Sequence, residues 1–103
     1  MTTERVRPQK CQTMAEIRQG IDELDQHIVT LLAERLRYIE AAARVKQDRD
    51  VVRDEWRKAD VIAKACETAR SHGFSTDMVT KIYDQLIELS IAHEFERFDR
   101  LKG

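Results

Sequence analysis

The chain has 103 residues, a formal net charge of -1, 42% hydrophobic and 36% charged residues, and only 6% aromatics. This suits one small helical domain and argues against a β-sandwich, while the near-neutral charge gives no global basic field of the kind that draws nucleic acid. One proline and three glycines allow few turns, and no apolar run reaches the length of a membrane span.

Residues 1–12 are polar, contain Pro8 and lack periodicity, which predicts a flexible N-terminal arm ahead of a helical domain over 13–103. The first helix is expected from Thr13, a fitting N-cap with Glu16 three residues on in a capping-box pattern, to about Gln47. Its apolar positions Ile17, Ile21, Leu24, Ile28, Leu31, Leu32, Ile39, Ala42 and Ala43 recur at three- and four-residue steps and form one stripe. Arg35 and Lys46 fall within roughly 20° of the middle of that stripe. Charged side chains are seldom fully buried without a partner. No acid lies on the stripe, so their counter-charge is either a carboxylate from another segment or an anionic ligand.

Gln47-Asp48-Arg49-Asp50 breaks the pattern, and Val51-Val52-Arg53 reads as a short extended connector. Asp54 caps a second helix over about Glu55 to Ser71, with apolar face Trp56, Ala59, Ile62, Ala63, Cys66 and Ala69. His72-Gly73 closes it. Ser75 or Thr76 starts a third helix to about Leu101, with Asp77 in its first turn. Its face carries Val79, Ile82, Tyr83, Leu86, Ile87, Ser90, Ile91, Glu94, Phe95 and Phe98. The fold expected is all-α, a three-helix protomer with a long first helix.

About 34 residues at ~1.5 Å each give a rod near 50 Å long, against a radius of gyration of ~13 Å for a compact 100-residue domain. One helix pair cannot cover such a rod, so the expectation is a homodimer with interlocking long helices. The alternative is a helix bent or broken near Arg44 in a monomeric bundle.

Cys11 and Cys66 lack metal-like spacing and read as free thiols in a reducing cytoplasm, in the absence of a signal-peptide pattern. His27, His72 and His93 are scattered among polar residues and read as surface or helix-end groups. No metal site, phosphate loop or Ser/His/Asp set is expected. What remains is Arg35 and Lys46, with Arg57 able to close one end of a pocket, and Ser90 and Glu94 at i and i+4 on the third helix. Arg18 sits about 100° from the stripe centre, so it would serve such a pocket only from a partner chain. Each has a plainer reading: Arg18 and Arg57 as surface cations, Ser90 bonded back to its own helix, Glu94 as a structural counter-ion for Lys46 or Arg35. The functional reading is a cationic, apolar helical pocket for a small dianion, with a reaction that needs no nucleophile.

The run Ile17-Arg18, Ile21-Asp22, Leu24-Asp25, Leu31-Leu32-Ala33-Glu34-Arg35, then Lys46, Val52-Arg53-Asp54 and Arg57, resembles the all-helical chorismate mutases over about Ile17 to Phe98. Tyr38-Ile39, Ala41-Ala42-Ala43-Arg44-Val45-Lys46 and Ile91-Ala92-His93-Glu94 look closer to the subgroup that contains isochorismate-pyruvate lyases, which make salicylate. The resemblance implies an intertwined homodimer with two active sites and no cofactor. Arg35, Lys46 and Arg57 would hold a small dicarboxylate, chorismate or isochorismate, within one protomer, and Arg18 would come from the partner protomer. Lys46 and the residue at Glu94 would serve the ether oxygen of the breaking bond, and Asp54 and Ser90 fill secondary positions. Two residues depart from the pattern. Lys58 stands where many mutases bind the ring hydroxyl with a carboxylate or amide, and Glu94 stands where bacterial members commonly have glutamine.

An ionised Glu94 cannot donate a hydrogen bond. Activity is therefore expected to fall as pH rises, with Glu94→Gln flattening the profile; an unchanged profile in that variant removes the idea. The leading expectation is chorismate mutase. The alternatives are isochorismate-pyruvate lyase, a mutase for 4-amino-4-deoxychorismate, and a non-enzymatic helical dimerisation module.

Overall fold

Thr13 starts the first helix by closing both arms of the capping box: its Oγ1 accepts from the Glu16 N–H at 3.2 Å, and Glu16 Oε1 accepts from the Thr13 N–H at 3.2 Å and the Gln12 N–H at 2.9 Å. In the computed structural model residues 5–102 are described, so the first four residues of the expected arm and Gly103 lie outside the described residues. Helix α1 spans Met14–Val45, α2 spans Glu55–Ser71 and α3 spans Thr76–Lys102, with 3-10 turns at Pro8–Lys10 and Arg49–Val51. No strand occurs among the described residues, and no helix among them is long and apolar enough to cross a membrane. Helix α1 is uninterrupted at Arg44 and ends two residues before the expected Gln47.

The chain divides into two compact units, Met1–Leu36 and Arg37–Gly103, with the boundary inside α1. In the first unit the apolar stripe of α1 faces water: Ile28 is 51% and Leu31 63% exposed, and Ile17, Ile21, Leu24 and Leu32 are exposed as well.

The second unit is built on α3, against which α2 packs. The last turns of α1 reach α3 through Ala43, which is completely buried and clusters with Val52, Phe98 and Phe95. Ile87, Ile91 and Val79 of α3 and Ala69 of α2 are also buried. Trp56, expected on the inner face of α2, is instead 75% exposed. The inward side of that helix carries Lys58, Val61, Ile62, Ala65, Cys66 and Ala69, and Trp56 lies about 120° round from Ile62. Ile82, expected inward on α3, is exposed.

The connector differs from the extended segment expected. Asp48 Oδ1 accepts from the Asp50 N–H at 2.9 Å, and the Val51 and Val52 N–H groups donate to the Asp48 and Arg49 carbonyls. The aspartate side chain thus curls the backbone into a 3-10 turn. That turn drives Val52 into the core, where it is 3% exposed. Asp54 caps α2 as expected, its Oδ1 accepting from the Arg57 N–H at 3.0 Å.

The α2–α3 turn is a Schellman arrangement. The Phe74 N–H donates to the Ala69 carbonyl at 2.8 Å and the Gly73 N–H to the Arg70 carbonyl at 3.2 Å, with Gly73 at φ 65°. Ser75 then accepts from the Met78 N–H to begin α3. A Cβ on Gly73 meets nothing within 4 Å, so the only cost of a side chain there is backbone conformation. Gly73→Ala should therefore destabilise the protein by ~1–2 kcal/mol and Gly73→Asn by less, read from chemical denaturation at one protein concentration. Equal stability of Gly73→Ala and wild type would contradict this account of the turn.

Candidate functional site

Within the second unit the chemistry gathers around a single acid on α3. Glu94 is 4% exposed, and the Lys46 ammonium just past the end of α1 donates to its Oε2 at 2.7 Å and to the Val52 carbonyl at 3.4 Å. The Lys46 side chain keeps 29% of its surface, whereas that of Glu94 keeps 6%. This half-open geometry leaves the cation reachable from solvent while the carboxylate is sealed beneath it. Of the two sources of counter-charge left open by the sequence, Lys46 has a carboxylate from another segment.

Ser90, one turn earlier on α3, is buried and donates its hydroxyl to the Leu86 carbonyl at 2.8 Å. That back-bond to its own helix is the plainer of its two readings. Arg57 lies beside the connector at the start of α2, but its guanidinium is exposed and pairs with Asp60 at 2.8 Å on the same helix. In the first unit, Arg18 is exposed and Arg35 half-buried on α1.

Lys58 is drawn to α3. Its ammonium is 2.8 Å from both Asp84 Oδ1 and Glu88 Oε2. Those two acids, Asp84 first, hold it protonated more firmly than an ordinary lysine. Glu88 also takes Arg53 in a two-pronged bond, Nη2 to Oε1 at 2.7 Å and Nη1 to Oε2 at 3.2 Å. The Arg53 guanidinium, and after it the Lys58 ammonium, hold the Glu88 carboxyl at about 2, against an ordinary 4.5.

Sequence reasoning missed this cluster. Asp84 and Glu88 stand four residues apart on α3, a visible acidic pair, but nothing in the spacing says that Arg53 and Lys58 will meet it. His93, expected as a surface or helix-end group, is half-buried, with Nε2 2.8 Å from Glu40 Oε2. That hydrogen bond, with Arg97 nearby, outweighs burial and keeps the Glu40 carboxyl below the usual range. Arg49 donates to both Asp99 oxygens, at 2.9 and 3.2 Å, and lies 4.6 Å over the Phe95 ring. Cys11 and Cys66 are free thiols.

The Glu88 cluster generates a pH prediction. A carboxyl whose folded value lies below its unfolded value contributes stability above the unfolded value and loses it as pH falls through the folded one. The stability gap between wild type and Glu88→Gln should be constant above pH ~5 and close steadily toward pH 2, followed by denaturant titration at stepped pH. A gap that stays constant down to pH 2 would contradict the assignment.

The family model described as chorismate mutase type II matches residues 17–95. The chain is also similar to the isochorismate pyruvate lyase of Pseudomonas aeruginosa, 28% identical over 96 residues that cover 93% of this chain and 95% of that protein. The matched family span contains Arg18, Arg35, the whole connector and both members of the Lys46–Glu94 pair. The protein belongs to the chorismate mutase type II family.

Proposed function

We propose that the protein is a chorismate mutase, rearranging chorismate to prephenate. The observation that carries the proposal is the Lys46–Glu94 pair, a part-exposed ammonium over a sealed carboxyl group, at the two positions where the family resemblance puts the groups that serve the ether oxygen; Glu94 serves it only in its protonated form. The reaction is a unimolecular [3,3] rearrangement, so the protein needs no nucleophile. It gains rate by holding the reactive conformer and by stabilising negative charge on the ether oxygen as the C–O bond breaks.

Lys46 acts as a movable point charge at that oxygen, and Arg35 as a planar fork for a carboxylate. Arg57, whose backbone N–H is tied to Asp54, has an exposed guanidinium that can exchange Asp60 for the substrate. Arg18 of the partner protomer completes the set. Lys58 reaches the ring only by exchanging one of the two carboxylates that hold it, and Ser90 keeps a secondary, structural part. The exposed apolar stripe of α1, with Ile28 and Leu31 at its centre, supports a homodimer in which that stripe is covered and Arg18 is delivered across the interface.

A second reading is favoured by the relative from Pseudomonas aeruginosa, whose similarity runs nearly end to end. In it, the same cations bind isochorismate and promote a pericyclic hydrogen transfer that releases salicylate and pyruvate.

Product analysis with the purified protein separates the readings. Efficient formation of prephenate from chorismate supports the mutase. Salicylate and pyruvate from isochorismate, with chorismate turned over weakly, transfer the assignment to the lyase. Turnover of neither substrate removes both. Arg35→Ala should lower kcat/KM by at least ~100-fold and leave the protein folded. In a purely structural helix module, by contrast, loss of a buried charge partner would appear as ~3–5 kcal/mol of lost stability. Light scattering on the active preparation should return twice the chain mass, and a monomer with full activity would overturn the dimeric site.

A further inference from the structure

The connector 46–54 is tied to α3 at three points. Lys46 bonds Glu94, Arg49 bonds Asp99 and lies over Phe95, and Arg53 bonds Glu88. Val52 is the one buried residue between Lys46 and Asp54, and its carbonyl is one of two acceptors for the Lys46 ammonium. The next residue, Arg53, is clamped by both oxygens of Glu88, and the same carboxylate holds Lys58 in the first turns of α2.

We propose that Glu88 is a positioning residue: by joining Arg53 and Lys58 on α3 it fixes the far end of the connector and so sets the Val52 carbonyl and, through it, Lys46. This rests on the reading of Lys46 as the lysine that faces substrate.

Exposed ion pairs contribute little to stability on their own. The value of this one lies in geometry. The Lys46–Val52 contact is already long at 3.4 Å, so a small outward slip of the connector breaks it and leaves Lys46 free to swing about Glu94. Misplacement of a reacting group by ~1 Å can cost on the order of 100-fold in rate.

The test is Glu88→Gln, which keeps the side-chain shape, removes the charge and turns an amide N–H toward Lys58 or Arg53. Glu96→Gln serves as the control, since it removes a carboxylate charge from the same helix at a more exposed pair, with Arg100, that does not touch the connector. Two readouts are taken on the full chain. In the first, hydrogen exchange at the Val51 and Val52 amides, which close the 3-10 turn, should quicken in Glu88→Gln and not in Glu96→Gln. The Phe74 amide of the α2–α3 turn should be unchanged in both. In the second, kcat with the better substrate should fall at least ~10-fold in Glu88→Gln with KM within ~3-fold, as expected for a misplaced group that acts in the transition state.

Unchanged connector exchange overturns the anchoring role. Unchanged kcat in an active protein overturns the positioning role. Wild type inactive on both chorismate and isochorismate overturns the functional reading on which the proposal rests, a result distinct from either.

Discussion

A carboxylate with almost no access to water dictates much of the second unit. Glu94 lies on the buried side of α3 with Ile87, Ser90, Ile91 and Phe98, and an ionised acid there is tolerable only beside a cation with good hydrogen-bond geometry. Lys46 supplies it at 2.7 Å. To do so the chain must end α1 at Val45, turn its lysine toward α3 and fold the connector beneath it. The burial of Ala43 and Val52 against Phe98 follows from the same docking. A well-packed apolar pair would fill such a space at no loss of stability, and often with a gain. The part-exposed ammonium of this pair supports the proposed use of Lys46 at a substrate.

A second set of bonds to α3 has a different character. Glu40 with His93, Arg49 with Asp99, and Arg53 and Lys58 with Glu88 all join α3 to the segments that precede it. Individually such contacts stabilise little, because none has a partner sealed from water as Glu94 is. Collectively they fix register: each joins one acid or histidine on α3 to one residue of α1, the connector or α2. The apolar core of this unit is small, and apolar contact is not directional. Charge placement supplies the specificity that the core lacks.

Local signals were legible in the sequence wherever one short segment contains the whole cause. The capping box at Thr13 and Glu16, the cap at Asp54, the Gly73 turn and the limits of α2 all follow from hydrogen bonds made within a few residues, and each appears where expected. The cations on the α1 stripe are legible as an anomaly that demands a partner, and for Lys46 that partner is Glu94 of α3. Two kinds of feature were not legible. The pattern predicts an extended connector at Val51-Val52-Arg53, whereas the Asp48 side chain captures the Asp50 N–H and curls the backbone. Hydrophobicity places Trp56 inward, but the inward arc of α2 runs through Val61, Ile62, Ala65, Cys66 and Ala69, and Trp56 lies about 120° round from Ile62. In the first case a polar contact overrides an apolar preference; in the second, the face of α2 that packs on α3 is set by residues of α3, distant in the chain.

The claim that the Lys46–Glu94 pair is kept for chemistry is tested most directly by Lys46→Arg, with turnover and unfolding free energy measured on the same preparation. Arginine keeps the positive charge and can still neutralise Glu94, but its planar fork cannot replace a compact ammonium at one ether oxygen. The account predicts stability close to wild type together with a kcat at least ~100-fold lower, the scale of losing one well-placed transition-state donor. Near-native turnover in Lys46→Arg would mean that Lys46 only balances a buried charge, and would contradict the account.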